Sequence, residues 1–291
     1  MPAFPVIDTH LHVWDPRRLS YSWQKGNALF DRPYLVEDYR RDCGDVEVEA
    51  MVFVECYADF GPDGGQYVAE VEFVADEAKR DPRLKAIVPM APLERGDRVA
   101  PVLDEMVTRF PAVRGIRRII EFDADPRALA LSPDFIAGVK LLARYGLHFE
   151  INVNHTQMDV VLDFVKRAPE VPMILDHCGK PGIREGAIAA YRRDMAELAK
   201  APNVVCKLSD LPVEADWQAW TDADLRPFVD ATLETFGTDR VIFAADWPVC
   251  LQAASIPRAV ASLDRLLAGL PEAELRKIYR DNANRFYRLG L

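Results

Sequence analysis

Residues 4–16, FPVIDTHLHVWDP, place two histidines near the end of a short apolar segment. Side chains along a β-strand alternate between its two faces, so His10 and His12 point the same way. Two imidazoles that are two residues apart on one face of a strand can bind a single metal ion or a single substrate oxygen. A buried structural pair is the alternative, but the Trp14-Asp15-Pro16 sequence that follows favours a functional site.

Seven further apolar segments follow this strand and alternate with amphipathic helical patterns. The strands are predicted at 50–57, 85–90, 113–120, 147–153, 171–176, 203–208 and 241–245. Helices are predicted at 65–80, 133–145, 184–200, 223–236, 256–268 and 271–288, with Ser132 as a cap and Pro133 in the first turn. Nearly continuous apolar strands are typical of parallel sheets covered on both faces. We therefore expect an α/β fold, a (β/α)8 TIM barrel. An open doubly wound sheet is the alternative, but the sequence has no GxGxxG motif that would support it.

No linker or repeat divides residues 1–291, which we interpret as one domain. The formal net charge of −10 argues against a nucleic-acid partner, and the sequence has neither a membrane-spanning apolar run nor a secretory signal. The five cysteines have no disulfide-like spacing, which is typical of reduced, buried thiols. We expect a cytoplasmic protein with a small-molecule partner; its oligomeric state is left open.

Two more polar residues come directly after predicted strands. His177 follows the sixth strand in MILDHCGKP, and Asp246 follows the eighth in FAADWP. In a closed barrel the eighth strand lies beside the first, so Asp246 is expected near His10 and His12. Aspartates after strands also serve as helix caps and turn formers, which is the alternative for Asp246.

Two long segments follow strands and are candidate walls of a pocket. Residues 14–34 follow the first strand, and residues 209–222 follow the seventh. Loops after barrel strands gather at the carboxyl ends of the strands, where such enzymes place their chemistry. A local hydrophobic clamp without a ligand is the alternative for these tryptophan-rich segments.

The motifs DTHLHVWDP, VRGIRR, LDHCGKP and FAADWPV, in this order and spacing, resemble the amidohydrolase superfamily. More narrowly, they resemble its branch of lactonases that open L-fucono-, L-rhamnono- or pyrone-type lactones. The resemblance implies a distorted (β/α)8 barrel with His10, His12, His177 and Asp246 in the active site. It also implies no strictly required cofactor, although a single zinc ion could be held by His10, His12 and Asp246. The fourth strand lacks the bridging lysine of the two-metal members, so a two-metal centre is not expected.

For lactone opening, the resemblance indicates Asp246 as the general base, with an unperturbed pKa of about 3.9. His10, His12 and His177 would then polarise the carbonyl group, directly or through zinc. This assignment describes a hydrolase acting on a carboxylic ester, in carbohydrate catabolism.

The substrate contacts are expected on strand ends and rim segments. Strand alternation allows only one of Arg117 and Arg118 to face inward, and Arg117 is preferred. A salt bridge to Glu121 or Asp123 is the alternative for this arginine. A single arginine pair favours an L-fuconolactone-like aldonolactone over a pyrone dicarboxylate. The candidate substrate-binding residues are Arg117, His155, Trp23, Tyr57 and Trp247.

Two other functions are weighed against the lactonase. One is a zinc-dependent decarboxylase or another amidohydrolase of the same superfamily, which would need an obligatory metal. The other is a non-catalytic sugar-binding barrel, in which Asp246→Asn would leave function intact.

Overall fold

Eight β-strands alternate with helices in the computed structural model, which describes residues 2–60 and 67–291. The strands are β1 (Val6–Leu11), β2 (Val48–Val54), β3 (Leu84–Val88), β4 (Gly115–Arg117), β5 (His148–Ile151), β6 (Met173–Leu175), β7 (Val204–Leu208) and β8 (Val241–Phe243). All eight lie within or across the segments predicted from apolar residues.

Eleven helices in the described part of the chain follow or connect these strands. They are α1 (Val36–Asp42), α2 (Tyr67–Arg80), α3 (Ala100–Arg109), α4 (Pro126–Leu131), α5 (Pro133–Arg144), α6 (Met158–Val165), α7 (Ile188–Leu198), α8 (Asp222–Phe236), α9 (Ile256–Leu266), α10 (Glu272–Arg276) and α11 (Asn282–Tyr287). A π-helical turn, Lys277–Asp281, joins the last two. The sequence pattern did not single out α1, α3, α4 and α6. The predicted first two residues of α2 fall outside the described residues.

The strands are parallel and form a barrel from two hydrogen-bonded groups, β1-β2-β3 and β4-β5-β6-β7-β8. Single bridges join the groups, between Ile87 and Val113 on one side and between Leu11 and Trp247 on the other. At the second junction His12 N donates to Trp247 O over 2.8 Å, and Thr9 Oγ1 donates to Phe243 O over 2.8 Å. The distorted (β/α)8 barrel expected from the sequence is confirmed.

Local sequence explains how the elements begin and why they pack. At the start of α5 the Ser132 hydroxyl accepts a hydrogen bond from Phe135 N over 3.1 Å, and Pro133 occupies the first turn, as predicted.

The five cysteines are free and buried, in agreement with their interpretation as small apolar side chains. Among the helices described, none combines the length and apolarity needed to cross a membrane.

Candidate active site

Three imidazoles and one carboxylate from distant parts of the chain meet at the carboxyl ends of the strands. His12 Nε2 lies 3.2 Å from Asp246 Oδ1, and His10 Nε2 lies 3.6 Å from the same oxygen. His177 Nε2 lies 4.0 Å from Asp246 Oδ2. All four side chains are buried. The structure thus brings together the four residues expected to carry the chemistry.

A second aspartate holds the segment that carries Asp246. The carboxylate of Asp8 accepts hydrogen bonds from Ala245 N over 2.9 Å and from the Tyr39 hydroxyl over 2.7 Å. Asp246 itself adopts the left-handed conformation, with φ of 57°. Such backbone strain in a non-glycine residue is concentrated at functional sites. Asp8 therefore fixes the carboxyl end of β8 against β1 and presents Asp246 to the histidines.

Asp246 differs from the unperturbed carboxyl group expected from the sequence. Burial raises its pKa, but the neighbouring imidazoles of His177 and His12 outweigh burial and hold the pKa below its usual value. The carboxyl group is therefore ionised at neutral pH. It is a weaker base than an unperturbed aspartate, because basicity falls as pKa falls.

The hydrogen bond of His12 Nδ1 determines whether the other ring nitrogen, Nε2, is a donor or an acceptor. His12 Nδ1 lies 2.8 Å from Val54 O, and a carbonyl oxygen can only accept, so Nδ1 carries a proton. In the neutral ring, Nε2 then presents a lone pair to the Asp246 carboxylate. Two acceptors this close call for a proton or a metal ion between them. His12 can polarise a carbonyl group only when its Nε2 also carries a proton or binds a metal ion.

His10 lies between two cationic side chains. Lys207 Nζ is 3.1 Å from its Nδ1, and Arg117 Nη1 is 3.1 Å from its Nε2. Burial lowers the pKa of His10 well below its usual value, and Lys207 lowers it further. Burial likewise lowers the pKa of His177 to about 3. Both rings are neutral at physiological pH.

A buried ionic network lies beneath the histidines inside the barrel. Arg117 donates from Nε to Glu55 Oε1 over 2.8 Å, and its Nη1 lies 3.4 Å from Asp176 Oδ2. Lys207 Nζ lies 2.6 Å from Glu150 Oε2 and 3.1 Å from Asp176 Oδ1. Arg117 faces inward, as preferred from strand alternation, but its guanidinium group is already paired. Arg118 instead approaches Glu94 and Asp123.

Within the described ranges, two clusters of donor atoms have the composition of a metal site. In one, ligand atoms of His10, His177 and Asp246 lie within 4.8 Å of one another; in the other, those of His10, Glu150 and Asp176 do. In the second cluster the Lys207 ammonium already contacts all three residues. In the first, Asp246 Oδ1 is buried without a hydrogen-bond partner among the described residues. Imidazole nitrogens around a free carboxylate oxygen suit zinc, so the first cluster fits one zinc ion; His12, which the sequence placed among the ligands, is not part of this cluster, although its Nε2 lies 3.2 Å from Asp246 Oδ1.

His12, His177 and Asp246 face a cavity of about 540 Å³, within the range of small-molecule sites. One wall comes from residues 14–34 through Trp14, Trp23, Asn27 and Phe30, and another from the segment after β7. The side chains of Trp23 and Tyr57 are each 39% exposed at this cavity. Trp23 Nε1 donates to Cys56 O over 2.9 Å, and the Tyr57 ring lies edge-on to Phe122. Both predicted pocket walls are therefore present, and their tryptophans also pack locally.

Comparison with known proteins gives the family. The amidohydrolase family model matches residues 7–289. The chain belongs to the amidohydrolase family. It is 34% identical to an L-fucono-1,5-lactonase of Burkholderia multivorans over 97% of this chain and 96% of the relative. It is 24% identical to an L-rhamnono-gamma-lactonase of Scheffersomyces stipitis over 99% of this chain and all of the relative.

A crystal structure of a Burkholderia multivorans amidohydrolase with bound zinc superposes on this fold with a TM-score of 0.86. The two sequences are 30% identical, and the match covers 98% of this chain and 99% of the other. The family and the hydrolase class expected from the four motifs are confirmed.

Two of the predicted substrate contacts of this amidohydrolase lie away from the cavity. Trp247 is fully buried, donates from Nε1 to Asp42 Oδ2 over 3.0 Å, and packs against Tyr34 and Tyr39. Its neighbours indicate a packing role, because the ring has no face toward the cavity. His155 lines a separate pocket, and its Nδ1 lies 3.3 Å from Lys180 O. The tight turn after β6 holds it there, outside the group around Asp246.

Sequence reasoning missed several charged residues of this amidohydrolase site. Lys207 and Glu150 each interrupt an apolar strand, and Glu55 ends one. A charged residue within a strand covered on both faces must be paired inside the barrel, which is the signal that could have found them. Asp210, two residues after β7, was also missed; it lines the cavity and adopts the left-handed conformation, as Asp246 does.

Proposed function

We propose that this amidohydrolase is a lactonase that opens a neutral sugar lactone, an L-fuconolactone-like aldonolactone. The observation that carries the proposal is the ionised Asp246 at a cavity wall, with three imidazoles around it. Such a constellation can activate water beside a polarised carbonyl group. The lactonase names of two full-length relatives support this choice among the hydrolyses that the family performs.

Asp246 acts as the general base in this mechanism. It takes one proton from a water molecule while the water oxygen bonds to the lactone carbonyl carbon. The tetrahedral intermediate collapses with cleavage of the bond to the ring oxygen, and the protonated Asp246 returns its proton to that oxygen. The product is a hydroxy acid, which releases one proton to solvent at neutral pH. A positioned base of this kind contributes about 10²–10⁴-fold to the rate.

The neutral ring of His177 supplies a hydrogen-bond donor for the carbonyl oxygen. When the Ser209 hydroxyl donates to His177 Nδ1, over 3.0 Å, the ring proton is on Nε2, which faces the region of Asp246. His10 supplies no such donor, because its Nε2 faces the guanidinium group of Arg117, which can only donate. One such donor to a developing oxyanion is worth about 2.7–4 kcal/mol.

A zinc ion, where bound, would be held by Asp246 with His10, His12 and His177, and would supply Lewis acidity and a more acidic water. His12 would offer Nε2, because its Nδ1 proton is held by Val54 O. Lys207 and Arg117 beside His10 add positive charge that opposes a divalent ion. We therefore propose that zinc is accommodated by the site but is not required for turnover.

The charge pattern of the cavity favours a neutral substrate. Among the described residues that line it, the cationic side chains are Arg117 and Lys180, and both are already paired with carboxylates, Arg117 with Glu55 and Lys180 with Glu121 over 2.5 Å. A substrate carboxylate would have to break one of these pairs. Hydroxyl groups can instead donate to carboxylates on the walls. This distinction favours an aldonolactone over a pyrone dicarboxylate or the carboxylated substrate of a decarboxylase.

The proposal is tested by a pH-indicator screen of lactones at neutral pH. The panel contains L-fucono-, L-rhamnono-, L-galactono- and D-arabino-lactones, with a 2-pyrone-4,6-dicarboxylate as the anionic comparison. We expect acid release on one or two aldonolactones and none on the dicarboxylate. Turnover of the dicarboxylate alone, or of no lactone at all, would contradict the proposal.

A further inference from the structure

The segment after β7 directs two successive side chains to the active site. Ser209 contacts His177, with its Oγ 3.0 Å from Nδ1. The next residue, Asp210, turns into the cavity with φ of 60°. A non-glycine residue is uncommon in this conformation and keeps it where the surrounding structure imposes it. The placement of Asp210 is therefore imposed by the fold.

The carboxyl group of Asp210 lacks the ion pair that other buried carboxylates have. Glu55 is bonded to Arg117, and Glu150 and Asp176 are close to Lys207. Asp210 is only 6% exposed, and its Oδ1 is enclosed without a hydrogen-bond partner among the described residues. An enclosed polar atom without a partner is rare in native proteins, so such an atom in a cavity wall indicates a position that binds a ligand group.

Asp210 lies next to the proposed base. Burial raises the pKa of Asp210, and Asp246 raises it further through its charge and through a side-chain hydrogen bond between the two carboxyl groups. A lactone whose carbonyl carbon is within reach of water at Asp246 therefore brings its ring substituents to Asp210. On an aldonolactone those substituents are hydroxyl groups, which are hydrogen-bond donors that a carboxyl oxygen accepts in either protonation state.

We infer that Asp210 is a specificity-determining residue that accepts a hydrogen bond from a ring hydroxyl of the lactone substrate. This inference rests on the proposed lactonase function and deepens it. It distinguishes Asp210 from Asp246, which acts on the reacting atoms. Removal of the acceptor leaves a buried substrate hydroxyl group without a partner, which costs about 1–3 kcal/mol, equivalent to about 5- to 160-fold in kcat/KM.

The test compares two substrates that differ in their hydroxyl groups, the aldonolactone selected in the screen and unsubstituted δ-valerolactone. We expect Asp210→Ala to lower kcat/KM for the aldonolactone by about 5- to 160-fold. For δ-valerolactone, which has no hydroxyl group to donate, the change should stay below about threefold. Asp210→Asn, which keeps an acceptor oxygen, should restore most of the lost activity. The matched control is Asp216→Asn on the same segment, where Asp216 caps a local turn.

Equal losses on both substrates would overturn the inference and would indicate a structural role. Equal losses combined with no rescue by Asp210→Asn would instead assign Asp210 as a proton donor, which also overturns it. Both results leave the lactonase function intact, because the wild-type protein still turns over lactones. Absence of lactone turnover in the wild type would refute the proposed function itself.

Discussion

His12 Nε2 lies 3.2 Å from Asp246 Oδ1, while the other nitrogen of the same ring is held by the carbonyl group of Val54. The lone pair of a neutral His12 therefore faces a carboxylate, and a proton or a cation is needed between them. This relationship couples the base to an imidazole whose tautomer is set by the backbone of β2. The need of the site for a proton or a metal ion follows from this contact between His12 and Asp246.

The first prediction concerns metal dependence. We expect lactone turnover to survive exhaustive chelation, because a proton can take the position between His12 and Asp246 and because Lys207 and Arg117 disfavour a divalent ion. The measurement is the rate on the aldonolactone after dialysis against a strong chelator, with zinc content determined on the same sample. Loss of activity that one equivalent of zinc restores would assign an obligatory metal.

The second prediction concerns the buried ionic network. Lys207→Met should lower the free energy of unfolding by about 3–5 kcal/mol, because it leaves buried Glu150 without its cation and leaves Asp176 with Arg117 alone. Urea unfolding midpoints of the wild type and the variant measure the loss. The double variant Lys207→Met/Glu150→Gln should recover at least about 1 kcal/mol, since one uncompensated charge is removed. A loss below about 1 kcal/mol for the single variant would show that the network is not stabilising.

The third prediction concerns pH and Glu70, a buried acid beside the cavity wall. Burial, reinforced by Glu55, raises the pKa of Glu70 to about 8, and its Oε1 accepts a hydrogen bond from Cys56 N over 3.2 Å. The folded state thus holds a proton that the unfolded chain releases above pH of about 4.5. The stability from this group is fully present below that pH and is lost as the pH rises toward 8.

Glu70→Gln keeps the acceptor and removes the titration. Between pH 5 and pH 8 its free energy of unfolding should rise relative to the wild type by more than about 1.4 kcal/mol, the equivalent of one pKa unit. Urea unfolding of both proteins at the two pH values measures the difference. An unchanged difference between pH 5 and pH 8 would mean that Glu70 is not held protonated.

Most of the architecture could be read from the sequence because it depends on local pattern. Eight apolar segments gave eight strands, and Ser132 with Pro133 marked the start of α5. Strand alternation allowed one of Arg117 and Arg118 to face inward and favoured Arg117, whose side chain is buried, while Arg118 approaches Glu94. Helices such as α3 and α6 were missed, since short amphipathic segments between strands have a weak period.

The interior of the site was less accessible to sequence reasoning, because it depends on contacts between distant residues. The partners of Arg117 are Glu55 and Asp176, on other strands, and not the nearby Glu121. Trp247 stands next to Asp246 in the chain, yet packs outward against Tyr34 and Tyr39. The lowered pKa of Asp246 likewise comes from imidazoles far away in sequence.

The most direct test of the account is the turnover number of Asp246→Asn on the aldonolactone that the wild type hydrolyses. The variant keeps the size of the side chain but cannot accept the proton of water, so we expect kcat to fall by at least about 10²-fold. The thermal unfolding midpoint verifies that the variant is folded. A folded Asp246→Asn protein with a kcat within about threefold of the wild type would contradict the assignment of Asp246 as the base.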